Sequence, residues 1–128
     1  MCYASEEIIS ILNKIKYPYN VNIRTQELAI DALDNVYRKD IWVDEILQQR
    51  DWLKKQLSAL SLVEKIYPTD ANFLLVRVKD AQQTYQFLLD RGIIVRDRSR
   101  VNLCYNSLRI TVGTPEENQK LIEALKEL

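Results

Sequence analysis

Between Asn106 and Glu117 the pattern of the chain changes from a period of two to the start of a capped helix, and no other stretch constrains the fold as tightly. Leu108, Ile110 and Val112 alternate with Arg109 and Thr111, the signature of a half-buried strand whose apolar side chains share one face. Arg109 then points away from the core that its own strand helps to build. Gly113 breaks the strand, Thr114 can cap a helix, Pro115 suits the first helical position, and Glu117 completes a Thr-x-x-Glu capping box. The outcome is a guanidinium on a rigid strand anchored at both ends. That geometry suits bidentate recognition of a carboxylate or phosphate. Periodicity alone, however, favours a plain surface arginine on a two-faced sheet.

The rest of the chain supplies the layers. Ser5 precedes Glu6 and Glu7, acids suited to the positive end of a helix, and Ile8, Ile9, Leu12 and Ile15 follow at helical spacing. Tyr17-Pro18-Tyr19-Asn20 stops that helix, because the residue before proline is driven out of the α region. Thr25 is expected to cap a second helix carrying Leu28, Ala29, Ala32, Leu33 and Val36. Asp40 is expected to open a third, running to Ala59 or Leu60 and about 30 Å long at 1.5 Å per residue, long enough to bridge two layers or two domains. A coiled coil is the weaker reading, since Arg50 interrupts the seam.

After Leu60 the period shortens. Val63–Ile66 is a short strand and Asn72–Val78 a strong one, ahead of a helix capped by Asp80 and closed by Gly92. Ile93-Ile94-Val95 reads as the next strand, Arg96–Arg100 as a charged turn region, and the closing helix buries Leu121, Ile122, Leu125 and Leu128. The order β-β-α-β-β-α gives an α+β fold: helices packed on a small, largely antiparallel sheet, preceded by an α-helical arm.

Composition narrows the chemistry by exclusion. Eighteen Lys and Arg balance eighteen Asp and Glu across 128 residues, so neither nucleic acid nor a membrane surface is an expected partner. No apolar run approaches the ~20 residues of a membrane span, and the N-terminus lacks the pattern of a signal peptide. Cys2 and Cys104 are too few and too far apart for a zinc cluster or disulfide framework; buried or idle thiols in a reducing cytoplasm are expected. There is no histidine, hence no histidine base and no His metal site. Gly92 and Gly113 stand far apart, so no glycine-rich phosphate loop can form. The chemistry left is two arginines in the α+β half, Arg96 and Arg109, which would suit an anionic ligand if they converge. Arg98 and Arg100 read as a solvated loop. The acid pairs Glu6-Glu7 and Glu116-Glu117 are capping features, and the tyrosines are packing residues.

Four motifs, Tyr17-Pro18-Tyr19-Asn20-Val21-Asn22, Tyr67-Pro68-Thr69-Asp70-Ala71-Asn72-Phe73, Gly92-Ile93-Ile94-Val95-Arg96-Asp97 and Leu108-Arg109-Ile110-Thr111-Val112-Gly113-Thr114, come in an order and spacing that resembles the histidinol-phosphate aminotransferases. The resemblance covers essentially the whole chain. It implies the C-terminal part of a pyridoxal-phosphate enzyme of the aspartate-aminotransferase fold: residues 1–24 as a large-domain remnant and interdomain linker, residues 25–128 as the small domain, including a long bridging helix over about 40–60. The implied reaction moves an amino group between glutamate and imidazole-acetol phosphate, in the cytoplasm, in a homodimer. Arg109 matches the family arginine that binds the substrate's carboxylate or phosphate. Arg96 matches a second arginine at the substrate's anionic end, and Asn20 lies in a segment near the active-site mouth.

The resemblance also implies what this stretch lacks. The Ser-x-x-Lys motif whose lysine holds the cofactor has no counterpart here, nor has the aspartate that pairs with the pyridinium nitrogen. This chain alone is therefore expected to be inactive, with no catalytic, cofactor-binding or metal residues of its own. Tyr17 stands where the family often has proline, and Asn106 where glycine is common. The competing readings are a free-standing α+β ligand-binding or regulatory module and, more remotely, a single-stranded RNA binder using Phe73 for stacking.

Overall fold

The computed structural model describes residues 3–17 and 21–128. Two compact units divide the chain after Arg38. Cys2 and the Pro18-Tyr19-Asn20 stretch, with the expectation for Asn20, lie outside the described residues.

The first unit is helical. α1 (Glu6–Ile15) follows Ser5, which has the extended backbone of an N-cap, although its side chain makes no capping bond. α2 (Ile23–Asp34) is capped by Asn22 and not by Thr25: the Asn22 side chain accepts from the Thr25 N–H at 2.9 Å, which makes Thr25 the third helical residue. Both residue types can cap, and the one placed three residues before a free N–H takes the role. α3 (Val36–Ser58) begins after a single intervening residue, Asn35, so Asp40 lies inside this helix and does not open it. No residue of α1 or α2 is buried. Ile8, Ile11, Leu12 and Ile15 form an exposed apolar stripe on α1, the pattern of a helix face made to be covered.

The second unit, from Lys39, contains the sheet. β1 (Val63–Ile66), β2 (Phe73–Val78), β3 (Arg96–Asp97) and β4 (Ser107–Thr111) lie in the order β1-β2-β4-β3, every neighbouring pair antiparallel. α4 (Ala81–Asp90) connects β2 to β3, and α5 (Pro115–Leu125) follows β4. One core holds the unit together. Leu74, Val76 and Val78 of β2 and Leu108 and Ile110 of β4 meet Leu53 and Leu57 of α3, Ala81 and Leu88 of α4, and Leu121, Ile122 and Leu125 of α5. These helices therefore pack on one face of the sheet. On β2 the alternate residues Phe73, Leu75 and Arg77 are only half-buried, as expected of an antiparallel sheet with one face open.

One local feature adds to the sequence reading and another corrects it. Arg50, which breaks the apolar seam of α3, donates from Nη1 to the Ala71 carbonyl at 3.1 Å and so ties the turn before β2 to the helix. Ile93-Ile94-Val95 is not a strand. Gly92, at φ 72°, and Ile93 donate their N–H groups to the carbonyls of Leu89 and Leu88 at 2.9 Å each, a Schellman closure of α4. Ile93 is thus committed to the helix end, while Val95 is buried in the core and Ile94 is 80% exposed. A cleft lined by Ile93, Ile94, Val95, Ile110 and Thr111 separates this segment from β4. Pairing starts only at Arg96.

Candidate anion-binding face

β4 delivers its arginine as its alternation requires. Leu108 and Ile110 are 1% and 2% exposed on the core side, whereas Arg109 is half-buried on the other face. Both ends of the strand are fixed. After it, Thr114 and Glu117 form the full capping box of α5: the Glu117 N–H donates to Thr114 Oγ1 at 3.3 Å, and the Thr114 N–H donates to Glu117 Oε2 at 2.9 Å. Gly113 is held further by Asn118, 2% exposed, whose Oδ1 accepts from the Gly113 N–H at 3.0 Å and whose Nδ2 donates to the Gly113 carbonyl at 2.9 Å and to Gln49 Oε1 of α3 at 3.0 Å. A Cβ on Gly113 would lie 2.7 Å from Glu117 Oε2, so the capping box itself requires glycine there. Before the strand, Asn106 adopts a left-handed backbone at φ 48°, and its Nδ2 donates to the Lys79 carbonyl at 3.0 Å. Left-handed geometry suits glycine first and asparagine next.

The register brings the two candidate arginines together. Arg96 of β3 is the direct cross-strand partner of Arg109. Directly opposed residues of an antiparallel pair project to the same face with Cβ atoms about 4.5–5.5 Å apart. Arg96 thus stands inside a strand, and its alignment with Arg109 depends on pairing that starts one residue after the expected strand. Like charges in this position repel, and neither arginine has a carboxylate partner among the described residues. Arg109 Cζ lies 5.2 Å from the centroid of Phe73, which offsets part of the repulsion by a cation–π contact and occupies the ring named above for base stacking. Arg109 Nε is buried without a hydrogen-bond partner among the described residues, an unmade bond of a charged group. Arg98 and Arg100 belong to the turn that follows, where Asp97 accepts from the Ser99 N–H and hydroxyl at 2.8 and 2.6 Å.

This arrangement presents charge and hydrogen-bond donors on one face. Two planar guanidinium forks beside a phenyl ring can fix an anion and its orientation. Every lysine of the described residues is exposed, so none offers the enclosed setting that shields an imine from water. No group of three or more Cys, Asp or Glu suited to a metal occurs among the described residues, and none of their helices is long and apolar enough to cross a membrane.

Residues 1–125 match the family model of aminotransferase class I and II. The chain belongs to that family. It is 52% identical over 124 residues to the histidinol-phosphate aminotransferase of Cytophaga hutchinsonii, covering 97% of this chain and 36% of that protein. It is 48% identical over 126 residues to the enzyme of the same name from Bacteroides thetaiotaomicron, covering 98% and 36%. Among solved structures it is similar to the histidinol-phosphate aminotransferase of Clostridium acetobutylicum, with a TM-score of 0.86, 22% identity and 96% of this chain covered against 38% of that one. It is also similar to L-threonine-O-3-phosphate decarboxylase from Porphyromonas gingivalis, with a TM-score of 0.72, 25% identity and coverage of 97% and 39%. The chain thus spans 36% of the length of these curated relatives. The α+β architecture of an aminotransferase is established, and a module without enzymatic relatives is ruled out. Pyridoxal phosphate does not fit the residues present, since neither the lysine motif nor an enclosed lysine is among them.

Proposed function

We propose that this chain serves as the substrate-clamping small domain of a pyridoxal-phosphate-dependent histidinol-phosphate aminotransferase, over residues 25–128, with residues 1–24 joining it to a large domain that holds the cofactor. The observation that carries the reading is the uncompensated Arg96–Arg109 pair on an open sheet face. Arg109, with its fixed strand and orphan Nε, grips the carboxylate or phosphate of the substrate, and Arg96 adds the second fork from the neighbouring strand. Their contribution is to bind and orient, which turns an encounter of substrate and cofactor into an aligned one. The substrates in this reading are glutamate or 2-oxoglutarate and histidinol phosphate or its keto form, in a cytoplasmic homodimer. The identity of 52% and 48% to proteins of that name supports the substrate class, and the exposed stripe of α1 supports a partner surface outside this chain.

Arg109→Leu in the intact protein tests the assignment. Losing a charge-assisted, bidentate contact is expected to raise KM for the anionic substrates by roughly tenfold to a hundredfold, with the cofactor spectrum unchanged. Unaltered affinity for those substrates would sink the reading. Arg109→Lys keeps the charge but not the fork and is expected to recover only part of the affinity.

A further inference from the structure

The cations of the open face do not stop at Arg109. Arg77 of β2 is opposite Ser107, two residues along β4 from Arg109, and Lys65 of β1 is opposite Arg77. Taken in spatial order, the four strands contribute Lys65, Arg77, Arg109 and Arg96, one cation each, to the same face. The Tyr67 N–H donates to the Leu75 carbonyl at 3.0 Å, extending the β1–β2 ladder so that Tyr67 joins that face too. A bulge in β1 places Glu64 beside Lys65 opposite Arg77, both exposed and Glu64 in no ion pair among the described residues. The remaining residues the register assigns to the face, Phe73, Leu75, Ser107 and Thr111, include no acid.

Lys65 and Arg77 converge on one ring. Lys65 Nζ is 4.8 Å and Arg77 Cζ is 5.7 Å from the centroid of Tyr67. Neither cation is in an ion pair among the described residues, and Arg77 Nε, like Arg109 Nε, is buried there without a partner. A directly opposed Lys–Arg pair repels itself, and the aromatic face compensates only in part. A buried unpartnered N–H of a charged group adds a further cost. An anion seated between the two head groups relieves their repulsion.

We propose that Lys65, Arg77 and Tyr67 form a second anion subsite, separate from the Arg96–Arg109 pair, that takes inorganic phosphate or the phosphate of a monoester. The donors decide the class: a guanidinium fork, an ammonium with three N–H groups and a phenol exceed what the two oxygens of a carboxylate accommodate, and a phosphate offers three free oxygens to them. The rings separate the two subsites: Arg77 Cζ lies 5.7 Å from the centroid of Tyr67, whereas Arg109 Cζ lies 5.2 Å from that of Phe73. The proposal rests on register and charge and does not depend on the aminotransferase substrate assignment.

The test is a titration of the protein with inorganic phosphate, followed through the side-chain Nε–H resonances of Arg77 and Arg109 and the amide of Tyr67. Two saturable responses with separate midpoints are expected. Arg77→Gln weakens the response at Tyr67 about tenfold or more, the worth of a hydrogen bond to a charged group, and leaves the midpoint at Arg109 within about twofold, as expected of independent sites. Lys65→Gln, an exposed position that does not endanger the fold, shifts the same response in the same direction. A single midpoint shared by both arginines and abolished by Arg109→Leu overturns the proposal, as does a response at Tyr67 that survives both Gln variants. So does no saturable response at Arg77, including the case in which a carboxylate elsewhere in the protein already holds the pair.

Discussion

Asn106 shows how a single side chain can set the position of a binding group it never touches. Its left-handed backbone turns the chain into β4, its carbonyl accepts from the Val78 N–H at 2.9 Å, and its amide reaches the Lys79 carbonyl. The fixed turn determines which residue of β4 faces Leu75, and therefore that Arg109 emerges on the open face. Asn106→Val places a β-branched residue at positive φ and is expected to cost about 1–3 kcal/mol by chemical denaturation. Asn106→Gly gives up the side-chain bond but relaxes the backbone, and is expected to lie within about 1 kcal/mol of the parent. Equal losses for the two variants would show that the amide bond, and not the backbone angle, is what matters here. The resemblance flagged this position as one where glycine is common, and the angle supplies the reason. Asn118 gave no such signal: its three bonds join residues that are distant in sequence or belong to a turn, and a polar residue on a helix reads as solvated until the fold surrounds it.

At the level of elements, legibility followed locality. The turn from β4 into α5 could be read because alternation, Gly113 and the capping box all lie within twelve residues, from Asn106 to Glu117, whereas Leu128, expected to be buried by the closing helix, lies beyond its end and is exposed. Ile93–Val95 could not, because strand propensity there loses to the Schellman closure and to a core that takes Val95 alone. The consequence reached the site: Arg96 was legible as a candidate, but its place opposite Arg109 is a matter of register, which pairing decides. Arg77 carried the same alternating signal in Leu74, Val76 and Val78 that exposed Arg109, though nothing local ties it to Lys65. α3 is bound to the sheet through Leu53 and Leu57, both fully buried. Leu57→Ala should destabilise the sheet-containing unit by about 2–5 kcal/mol. A loss below 1 kcal/mol in thermal or urea unfolding would mean that α3 is dispensable to this core.

For the molecule as a whole, the open face links stability to the solution around it. An anion that binds the folded arginine face and not the unfolded chain stabilises by RT ln(1 + [L]/Kd), about 2.7 kcal/mol at a hundred times Kd. The protein is therefore expected to melt higher in phosphate than in chloride of equal ionic strength, and the difference should shrink in Arg109→Leu combined with Arg77→Gln. An identical difference in that double variant would assign the effect to general salt action and remove it from this face.

The absence of acids from the β2 and β4 positions of that face has a consequence for how the sequence can change. Substituting Glu for Leu75 or Thr111 would place a carboxylate on the same face as Arg109, next to it on the ladder or along the strand, and such a pairing relieves repulsion. A search for sturdier versions of this protein would find those replacements early, and each would be an internal mimic of the ligand. On the function proposed above, selection for robustness and selection for uptake of an anion thus pull the same few positions in opposite directions.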